Sequence, residues 1–533
     1  KISDEIEVIT LHPNEIETVD DPVTLLQDAL EQPIGTSPLE EIIEGKKNIV
    51  VVVDDYTRKF PRDTVLIPFF TLLEEMGVDK KKVTIIIGTG THTAPDDAKI
   101  EQVLGKDIPK DFNVEIHDCE ADDLVDLGET SRGTPILVNK TYHDADCKIL
   151  LTDITFHYYA GFGGDRKEIL PAISGKKSIN HNHSFLIDPN SHTGNLDGNP
   201  VHLDMVEVAT KVGADFVVNV IHHGSEIVDI KAGKLQLAFN EAVKIYNNLF
   251  EIPIDKKADM AIVSAGGYPK DINLYQGTKG LTHCLQSLKE GGQMVYLAEC
   301  KDGIGHKIFE EWIEEANKHI AKTKKEETRL AKAYDFLMDK VKKDFQMGGH
   351  KAYYITRERK WANISLLSDL DPDMITSNYF LEGIEYSSKR WINKGLQEHI
   401  DKKIEELNPK LIYIIPHGAE ILVSFADMVK SEMKKITSIK NRVKIGPPFI
   451  TKYEKSRIVG ARALQLALGA PALLSDEYLD PTNTDPINIG EMELQEKILP
   501  IIIRRMLPSG EYEDYPLDIF PGDASVIARD VAL

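Results

Sequence analysis

The stretch H-Y-Y-A-G-F-G-G-D-R-K-E-I-L-P, residues 157–171, decides how the first part of the chain is interpreted. It follows a short apolar run, residues 149–151, that is typical of a buried strand. Its three glycines, at positions 161, 163 and 164, allow positive φ angles and a close approach of the backbone to a ligand. The stretch therefore predicts a ligand-binding turn after a strand.

Three side chains in and beyond this turn can carry chemistry. Lys167 is a nucleophilic amine, and His157 and His183 are imidazoles of the kind that bind metals or move protons. The alternative is a plain strand-to-helix connection with incidental surface histidines. Since lysine, glycine and histidine rarely cluster in plain connections, we favour a functional site.

Length and composition limit the possibilities. A chain of 533 residues is too long for one core, so several domains are expected. The net charge of −23 argues against direct binding of nucleic acid or of anionic membrane surfaces. No apolar run approaches the length of a membrane span, and the first residues lack the apolar stretch of a secretory signal. The four cysteines are scattered, which fits a reducing cytoplasm.

Short β-branched runs alternate with helical patterns, which predicts an α/β fold. The expected parallel strands are 49–53, 83–87 and 148–151, and after a composition shift at 250–257, strands 260–264, 293–298 and 411–415. Residues 309–345 are expected to be helical. Ligands bind beyond the carboxyl ends of such strands, where polar or glycine-rich turns follow the first three.

Beyond a basic, proline-terminated linker at 431–448 the pattern changes. Thr451 and Glu454 form a capping box that starts a helix, which Gly469 and Pro471 end. A short helix at 491–496, a strand at 500–505 and a turn at 508–510 follow. We therefore expect two α/β domains with a cofactor cleft between them, plus a small α+β C-terminal domain; the predicted bounds are 1–252, 257–430 and 440–533.

Two of the turns supply further candidates. In D-Y-T-R, Arg58 can clamp a carboxylate or phosphate and Asp55 can accept hydrogen bonds from a sugar hydroxyl; a surface ion pair is the alternative. In G-T-G-T-H-T, His92 can act as a general base, or simply lie at a loop edge. Lys279, in Y-Q-G-T-K-G, lies near a predicted helix start, where the helix dipole opposes a positive charge. Either a bound anion or plain solvation would compensate the charge of Lys279.

Together these motifs resemble those of the nickel-pincer lactate racemase family. The matching pattern is D-Y-T-R, G-T-G-T-H, H-Y-Y-A-G-F-G-G-D-R-K with the following N-H, and Y-Q-G-T-K; G-G-H-K-A-Y-Y at 348–354 also looks like the family's C-terminal domain. The resemblance covers about residues 1–430. One departure is Asp165, where the family usually has a third glycine, so the local turn geometry is in question.

The resemblance implies a racemase or epimerase of a 2-hydroxy acid that works by hydride abstraction and return. It implies a nickel-pincer nucleotide, covalently bound to Lys167 and installed by maturation proteins. His183 would ligate nickel, and His92 and His157 would be the acid/base pair. The positions implied to contact cofactor or substrate are Asp55, Arg58, Tyr275, Gln276 and Lys279, with Arg58 and Lys279 on the substrate.

The last part, about residues 445–520, resembles archaeal RNA polymerase subunit K, the counterpart of bacterial omega. The motif is T-K-Y-E-K-S-R-I-V-G-A-R-A-L-Q-L-A-L-G-A-P followed by L-P-I-I-I-R-R-M-L-P-S-G-E-Y-E-D-Y. This resemblance implies binding to the largest polymerase subunit through residues 440–520. Recruitment of a small domain only for packing is the alternative.

Three functions remain open at this point. The first is a 2-hydroxy acid racemase with a polymerase-subunit-like domain appended. The second is a transcription-assembly subunit whose large domain is inactive or acts as a sensor. The third is a zinc hydrolase built on His92, His157 and His183, which leaves Lys167 without a role.

Overall fold

The computed structural model describes residues 2, 6–58, 60–385, 394–425, 445, 450–473, 485–495, 498–507 and 512–517. The chain divides into two units, residues 1–425 and 426–533. The α/β class predicted from the sequence is confirmed. Within the described part of the chain, no helix combines the length and the apolar character needed to cross a bilayer.

The strands are numbered in chain order. They are β1 (Glu7–Thr10), β2 (Ile49–Asp54), β3 (Val83–Gly88), β4 (Asn113–Ile116), β5 (Val125–Glu129), β6 (Pro135–Val138), β7 (Cys147–Asp153), β8 (Phe156–His157), β9 (Gly161–Phe162), β10 (Phe216–His223), β11 (Glu226–Gly233), β12 (Glu251–Ile254), β13 (Ala258–Ser264), β14 (Leu288–Leu297), β15 (Asn363–Leu367), β16 (Glu382–Gly383), β17 (Leu411–Ile415), β18 (Leu422–Phe425), β19 (Ile502–Met506) and β20 (Tyr512–Pro516).

The α-helices follow the same convention. They are α1 (Pro22–Glu31), α2 (Leu39–Ile43), α3 (Ile67–Glu75), α4 (Asp97–Leu104), α5 (Ile108–Asp111), α6 (Lys140–His143), α7 (Lys176–Ser184), α8 (Pro200–Val212), α9 (Leu237–Phe250), α10 (Leu274–Cys284), α11 (Lys307–Ile320), α12 (Glu326–Lys343), α13 (His350–Trp361), α14 (Pro372–Asn378), α15 (Lys394–Leu407), α16 (Lys452–Ala467) and α17 (Pro486–Gln495).

The first unit contains two six-stranded sheets. The first has the order β11-β10-β7-β2-β3-β4 and is parallel except for the antiparallel pair of β10 and β11. Every residue of β2 is buried, as expected for a central parallel strand that is covered on both faces. The predicted strands at 49–53, 83–87 and 148–151 are confirmed as β2, β3 and β7.

The second sheet has the order β1-β17-β13-β14-β15-β16, and all of its pairs are parallel. The predicted strands at 260–264, 293–298 and 411–415 correspond to β13, β14 and β17. Strand β1 pairs with β17, so the first strand of the chain contributes to the second sheet. The domain boundary at 252–257 stays a prediction.

The helical region expected over 309–345 forms two helices, α11 and α12. Each has an apolar stripe that is buried, with Trp312 and Ile313 on the first and Leu337 and Val341 on the second. The connection, residues 321–325, is A-K-T-K-K and offers little apolar surface to bury, which places the break there.

In the second unit, the predicted capping box is confirmed at the start of α16. The Glu454 N–H donates to Thr451 Oγ1 at 3.2 Å, and the Thr451 N–H donates to Glu454 Oε2 at 2.7 Å. Helix α17 runs from residue 486 to 495, earlier than the predicted 491–496. Strands β19 and β20 pair antiparallel. The predicted linker, apart from residue 445, and the predicted turn at 508–510 lie outside the described residues.

Candidate functional site

The glycine-rich turn after β7 is a tight structure. Strands β8 and β9 form a two-residue ladder, and a 3₁₀ turn, Asp165–Glu168, follows. Gly161 has φ +78°, and a Cβ there would lie 2.3 Å from the Asn195 carbonyl oxygen. Gly164 has φ +86°, and a Cβ there would lie 2.5 Å from Ile154 Cδ1. Since no larger side chain fits either position, glycine is needed for the turn to form.

Arg166 fixes this turn from inside. Its buried guanidinium donates to the carbonyl oxygens of Ala160 and Phe162 at 3.0 and 2.9 Å. It also donates to the Gly164 carbonyl oxygen at 3.1 Å, and its Nε–H donates to His202 Nδ1 at 3.0 Å. Arg166 thus binds these three carbonyl oxygens of the turn and His202 on α8. These bonds fix the backbone of the turn and hence the position of the neighbouring Lys167.

Lys167 is buried within this turn. Burial, together with the positive charges of Arg58 and Arg166, lowers the pKa of the Lys167 amine to about 7. Near neutral pH a large fraction of the amine is therefore uncharged, which is the nucleophilic form.

His183 lies on α7 and is also buried. Burial, and then Lys167, holds the pKa of His183 well below its usual range, so the ring is neutral. The Asn182 amide donates to the Val201 carbonyl oxygen and to Asp204, which leaves its oxygen to face His183 Nδ1 at 3.1 Å. His183 therefore carries its proton on Nδ1 and has a free lone pair on Nε2, as a metal ligand does.

His157 at the end of β8 is held differently. Its Nδ1 accepts the Ala160 N–H at 3.2 Å, so its proton lies on Nε2. Burial, then Lys167 and Arg58, holds the pKa of His157 well below its usual range. The ring packs against Tyr158 and Tyr159, with centroids 4.9 and 4.4 Å away.

His92 and Asp55 form a dyad at the ends of β3 and β2. Asp55 is buried, its Oδ2 faces His92 Nδ1 at 2.7 Å, and its Oδ1 accepts the Thr57 hydroxyl at 2.5 Å. Burial opposes ionisation of Asp55, but the bonds from His92 and Thr57 outweigh it and the pKa of Asp55 is lowered. The Asp55 carboxylate thus orients the His92 imidazole. The sequence did not predict that these two residues are partners.

Arg58 is the charge that connects these groups. It interacts electrostatically with Asp55 and His157, and also with Lys167 and Lys279. Burial opposes the charge of Arg58, but the surrounding carboxylates raise its pKa. The structure therefore brings the candidates from the first half of the chain to one place.

Sequence reasoning missed a set of buried carboxylates around Arg58. Asp54 and Asp153 end β2 and β7, and Glu168 follows Lys167. Burial raises the pKa of Glu168 to about 7, and the Thr152 hydroxyl donates to its Oε1 at 3.0 Å. The signal in the sequence was that the β-branched runs of β2 and β7 each end in an aspartate.

The second half of the unit contributes through α10. The Gln276 N–H donates to the Asn273 side chain at 2.9 Å, which caps this helix. Burial, and then Arg58, lowers the pKa of Lys279 to about 8. The Tyr275 ring stacks on His306 with centroids 5.2 Å apart. Tyr275 and Lys279 therefore belong to the same site as Arg58, and Gln276 lies half-buried between them on the helix.

Helix α13 supplies two residues to which the sequence assigned no role. His350 is buried, and its Nε2 lies 2.6 Å from the Tyr158 hydroxyl. Lys351 is buried with its Nζ 4.0 Å from the centre of the Tyr158 ring. The motif G-G-H-K was visible in the sequence, but its neighbours are about 190 residues away.

The hydrolase alternative finds no support in this geometry. Among the residues that the structure describes, which include His92, His157 and His183, no group of three or more His, Cys, Asp or Glu side chains is arranged to hold a metal ion. The Nε2 lone pair of the neutral His183 ring is therefore a single potential ligand and does not belong to a three-residue metal site within the described ranges.

Fold and site together define an α/β protein with a buried lysine–histidine centre, followed by a separate small unit. Family models for the lactate racemase N-terminal domain and C-terminal domain match residues 1–194 and 254–345, and the RNA polymerase Rpb6 model matches residues 446–501. The chain belongs to the lactate racemase family, and its last part belongs to the RNA polymerase Rpb6 family.

Individual relatives agree. A lactate racemase of Thermoanaerobacterium thermosaccharolyticum is 35% identical over 298 residues, which is 55% of this chain and 69% of the relative. The structure of the lactate racemase apoprotein from that organism superposes with a TM-score of 0.69 at 28% identity, covering 80% of this chain and 96% of that one. The RNA polymerase subunit Rpo6 of Thermofilum pendens is 47% identical over 77 residues, which is 14% of this chain and 89% of that subunit.

Proposed function

We propose that the chain is a racemase or epimerase of a 2-hydroxy acid that uses a nickel-pincer nucleotide bound covalently to Lys167. The observation that carries this proposal is the buried amine of Lys167, with a pKa of about 7, which interacts electrostatically with the neutral and buried His183 on α7. A neutral amine can form the covalent bond, and a neutral imidazole can ligate the metal.

The donor set fits this cofactor. His183, with a lone pair on Nε2, would supply the imidazole ligand to Ni(II), and Lys167 would hold the nucleotide covalently. The nearby cations Arg58 and Lys279 suit a ligand that carries negative charge. When bound, the cofactor would supply the acceptor for the hydride of the substrate.

The two catalytic histidines are prepared for opposite proton transfers. His92 gives its Nδ1 proton to the bond with Asp55, so in its neutral form Nε2 has a lone pair that can accept the hydroxyl proton of one enantiomer. His157 accepts at Nδ1 and presents its Nε2–H, which can hydrogen-bond the oxygen of the other enantiomer. A neutral ring has no second proton to give, so His157 can protonate an alkoxide only after it has taken up the proton removed from the substrate. At any moment one histidine of the pair would be the imidazolium donor and the other the neutral acceptor.

Arg58 and Lys279 would hold the carboxylate of the substrate. Both lie in the charged centre, and a fixed carboxylate keeps the reacting carbon between the two histidines. The rings of Tyr158, Tyr159 and Tyr275 would exclude water from it.

Metal analysis and intact mass test this proposal. The chain, co-expressed with the maturation proteins, should retain nickel and carry a cofactor-sized adduct on Lys167, and Lys167→Arg should carry none. The loaded enzyme should racemise at least one member of a panel with lactate, malate, a sugar acid and an aryl-lactate. Unmodified Lys167 with no retained nickel under these conditions would refute it.

For residues 446–501 we propose binding to the largest subunit of RNA polymerase, as the family of this part suggests. Tyr453 and Arg457 on α16 are exposed and available for such contact, whereas Arg462 is buried against Glu493. Polymerase subunits should be recovered with the wild-type chain and with Lys167→Arg, but not with Tyr453→Ala/Arg457→Glu. Recovery with that double variant would contradict the proposal.

The transcription-assembly alternative, with an inactive or sensing first unit, is separated from the racemase by the same experiments. It requires polymerase binding without an adduct on Lys167. The observed site favours the racemase, because His92 and His157 each have one ring nitrogen held by a hydrogen bond and the other directed to proton transfer. We place the protein in the cytoplasm, where its four free cysteines would stay reduced.

A further inference from the structure

Lys351 is a buried lysine for which the described residues supply no ion-pair partner. It is the second residue of α13, is 1% exposed, and has its Nζ 4.0 and 5.1 Å from the ring centres of Tyr158 and Tyr275. Cation–π contacts of this kind return only part of the hydration that a buried ammonium loses. Another group must therefore account for its charge.

No carboxylate in the described residues forms an ion pair with Lys351. Glu358, one of its electrostatic neighbours, accepts at Oε1 from Arg357 and from the Thr282 hydroxyl at 2.5 and 2.9 Å, and its buried Oε2 has no hydrogen-bond partner among the described residues. The other neighbour is Lys279, a second cation. The pKa of Lys351 is accordingly well below its usual range, first through burial and then through Lys279.

Neither lysine forms an ion pair within the described residues, although the carboxylates of Glu358 and Asp153 act on Lys351 and Lys279 electrostatically. Burial, and then Lys279 and Lys351, lowers the pKa of His283 to about 3, so this ring is neutral. His350 next to Lys351 is fully buried, and its Nδ1 has no hydrogen-bond partner. Two buried lysine amines and an unpartnered buried imidazole nitrogen are the surroundings of an anion-binding site, because a bound anion would favour the charged form of both amines.

We propose that Lys351 and Lys279 together form an oxyanion subsite of the racemase centre, with the rings of Tyr158 and Tyr275 beside it. The ligand is an oxyanion with charge to share between two ammonium groups, either a phosphate monoester such as a nucleotide cofactor carries or the second carboxylate of a dicarboxylic 2-hydroxy acid. The assignment rests on the proposed function for the identity of the ligand, but the binding of an oxyanion does not depend on nickel.

The test uses the full chain purified without maturation proteins. Thermal melts are recorded with inorganic phosphate, malonate or acetate at constant ionic strength. Wild type is expected to show a saturable rise in melting temperature with phosphate or malonate that exceeds the rise with acetate. Lys351→Met should weaken this apparent affinity at least about tenfold, and Lys351→Arg should restore most of it.

A matched control is Lys257→Met. Lys257 also lies over aromatic rings, those of Trp361 and Phe425 at 4.9 Å each, but belongs to another part of the unit. This variant should keep the anion response of wild type. Without added anion, Lys351→Met should melt above wild type because a buried amine that has no ion-pair partner has been removed, which a purely structural lysine would not do.

The outcomes distinguish the two possible ligands from each other, and they distinguish failure of the subsite from failure of the racemase assignment. A larger response to phosphate than to malonate assigns the subsite to a phosphate group, and the reverse assigns it to a dicarboxylic substrate. An unchanged anion response in Lys351→Met, or a lower melting temperature of that variant without anion, overturns the proposal. Failure of the racemase assignment would instead appear as a missing adduct on Lys167 with the anion response intact.

Discussion

The buried charges of the two units are arranged in opposite ways. In the second unit each buried guanidinium has its own carboxylate: Arg462 binds Glu493, and Arg505 binds Glu454 at 2.8 Å. In the described part of the first unit, the buried amines of Lys167 and Lys351 form no ion pair with a carboxylate, and burial and nearby cations lower the pKa of each. A buried charge that has an ion-pair partner can be kept for the stability of the fold. A buried ionisable group without such a partner lowers the stability of the fold, and its presence therefore indicates a ligand-binding site.

The largest effect is expected where a pair in the first unit serves proton transfer. Asp55→Asn should lower the racemisation rate of the loaded enzyme about 10²–10⁴-fold, because the amide no longer fixes the tautomer of His92. The measurement is the initial rate from each enantiomer, and kcat/KM should fall equally in the two directions because the equilibrium constant of a racemisation is one. Thr57→Val, which removes only the hydroxyl on the other carboxylate oxygen, should cost less than about tenfold. Equal losses in the two variants would contradict an orienting role for Asp55.

In the second unit, a broken pair should destabilise the fold. Glu493→Gln leaves the Arg462 guanidinium buried without its counter-charge, at an expected cost of about 3–5 kcal/mol in the stability of this unit. Hydrogen exchange of the α16 peptide in the full chain measures the loss. Asp514→Asn, which breaks the exposed pair with Arg504, should leave the protection of this peptide nearly unchanged. A similar protection in both variants would remove the distinction between buried and exposed pairs.

Asp165 tests an unpaired carboxylate in the first unit. It has φ +52°, where the family pattern favours glycine, and its Oδ2 accepts the Gln236 N–H at 3.0 Å at the start of α9. Burial raises the pKa of Asp165 to about 6, so this group's contribution to stability is complete below about pH 4 and is lost as the pH rises through 6. Asp165→Asn should therefore match wild type near pH 4 and exceed it by up to about 3 kcal/mol at pH 7.

Urea unfolding at several pH values between 4 and 7 measures this difference. Asp165→Gly, which also lacks the ionisable group, should show the same flat pH dependence as Asp165→Asn. A constant difference between wild type and Asp165→Asn across that range would mean that the carboxyl is not perturbed by the fold.

The smallest effect is expected for the capping box of α16. Thr451→Ala removes the hydroxyl that accepts the Glu454 N–H but leaves the ion pair of Glu454 with Arg505 intact. A loss of about 1 kcal/mol is expected in the stability of the second unit, seen by hydrogen exchange of α16. A loss as large as that of Glu493→Gln would show that the cap, and not the buried pair, dominates this unit.

Local patterns were sufficient for much of this fold. The β-branched runs of β2, β3 and β7 and the capping box of α16 depend on residues close in sequence, and all four were predicted. The same holds for the glycine turn that contains Lys167, where the chemistry is written in one continuous motif.

The rest depends on residues that are far apart in the chain. The bond between Tyr158 and His350 joins the two halves, and the set of carboxylates around Arg58 comes from the ends of separate strands. The single sequence gives no signal for which strand ends become neighbours. For the same reason the partner of Asp55 and the charge environment of Lys351 could not be predicted.

Strand β1 has a consequence for the order of synthesis. It is synthesised before β17, on which it docks and which follows about 400 residues later. At roughly 5–20 residues per second, β1 waits on the order of 20–80 s for its partner. During that interval the newly made strand has unpaired backbone groups, so the nascent chain depends on chaperones or on temporary pairing until residue 415 has emerged.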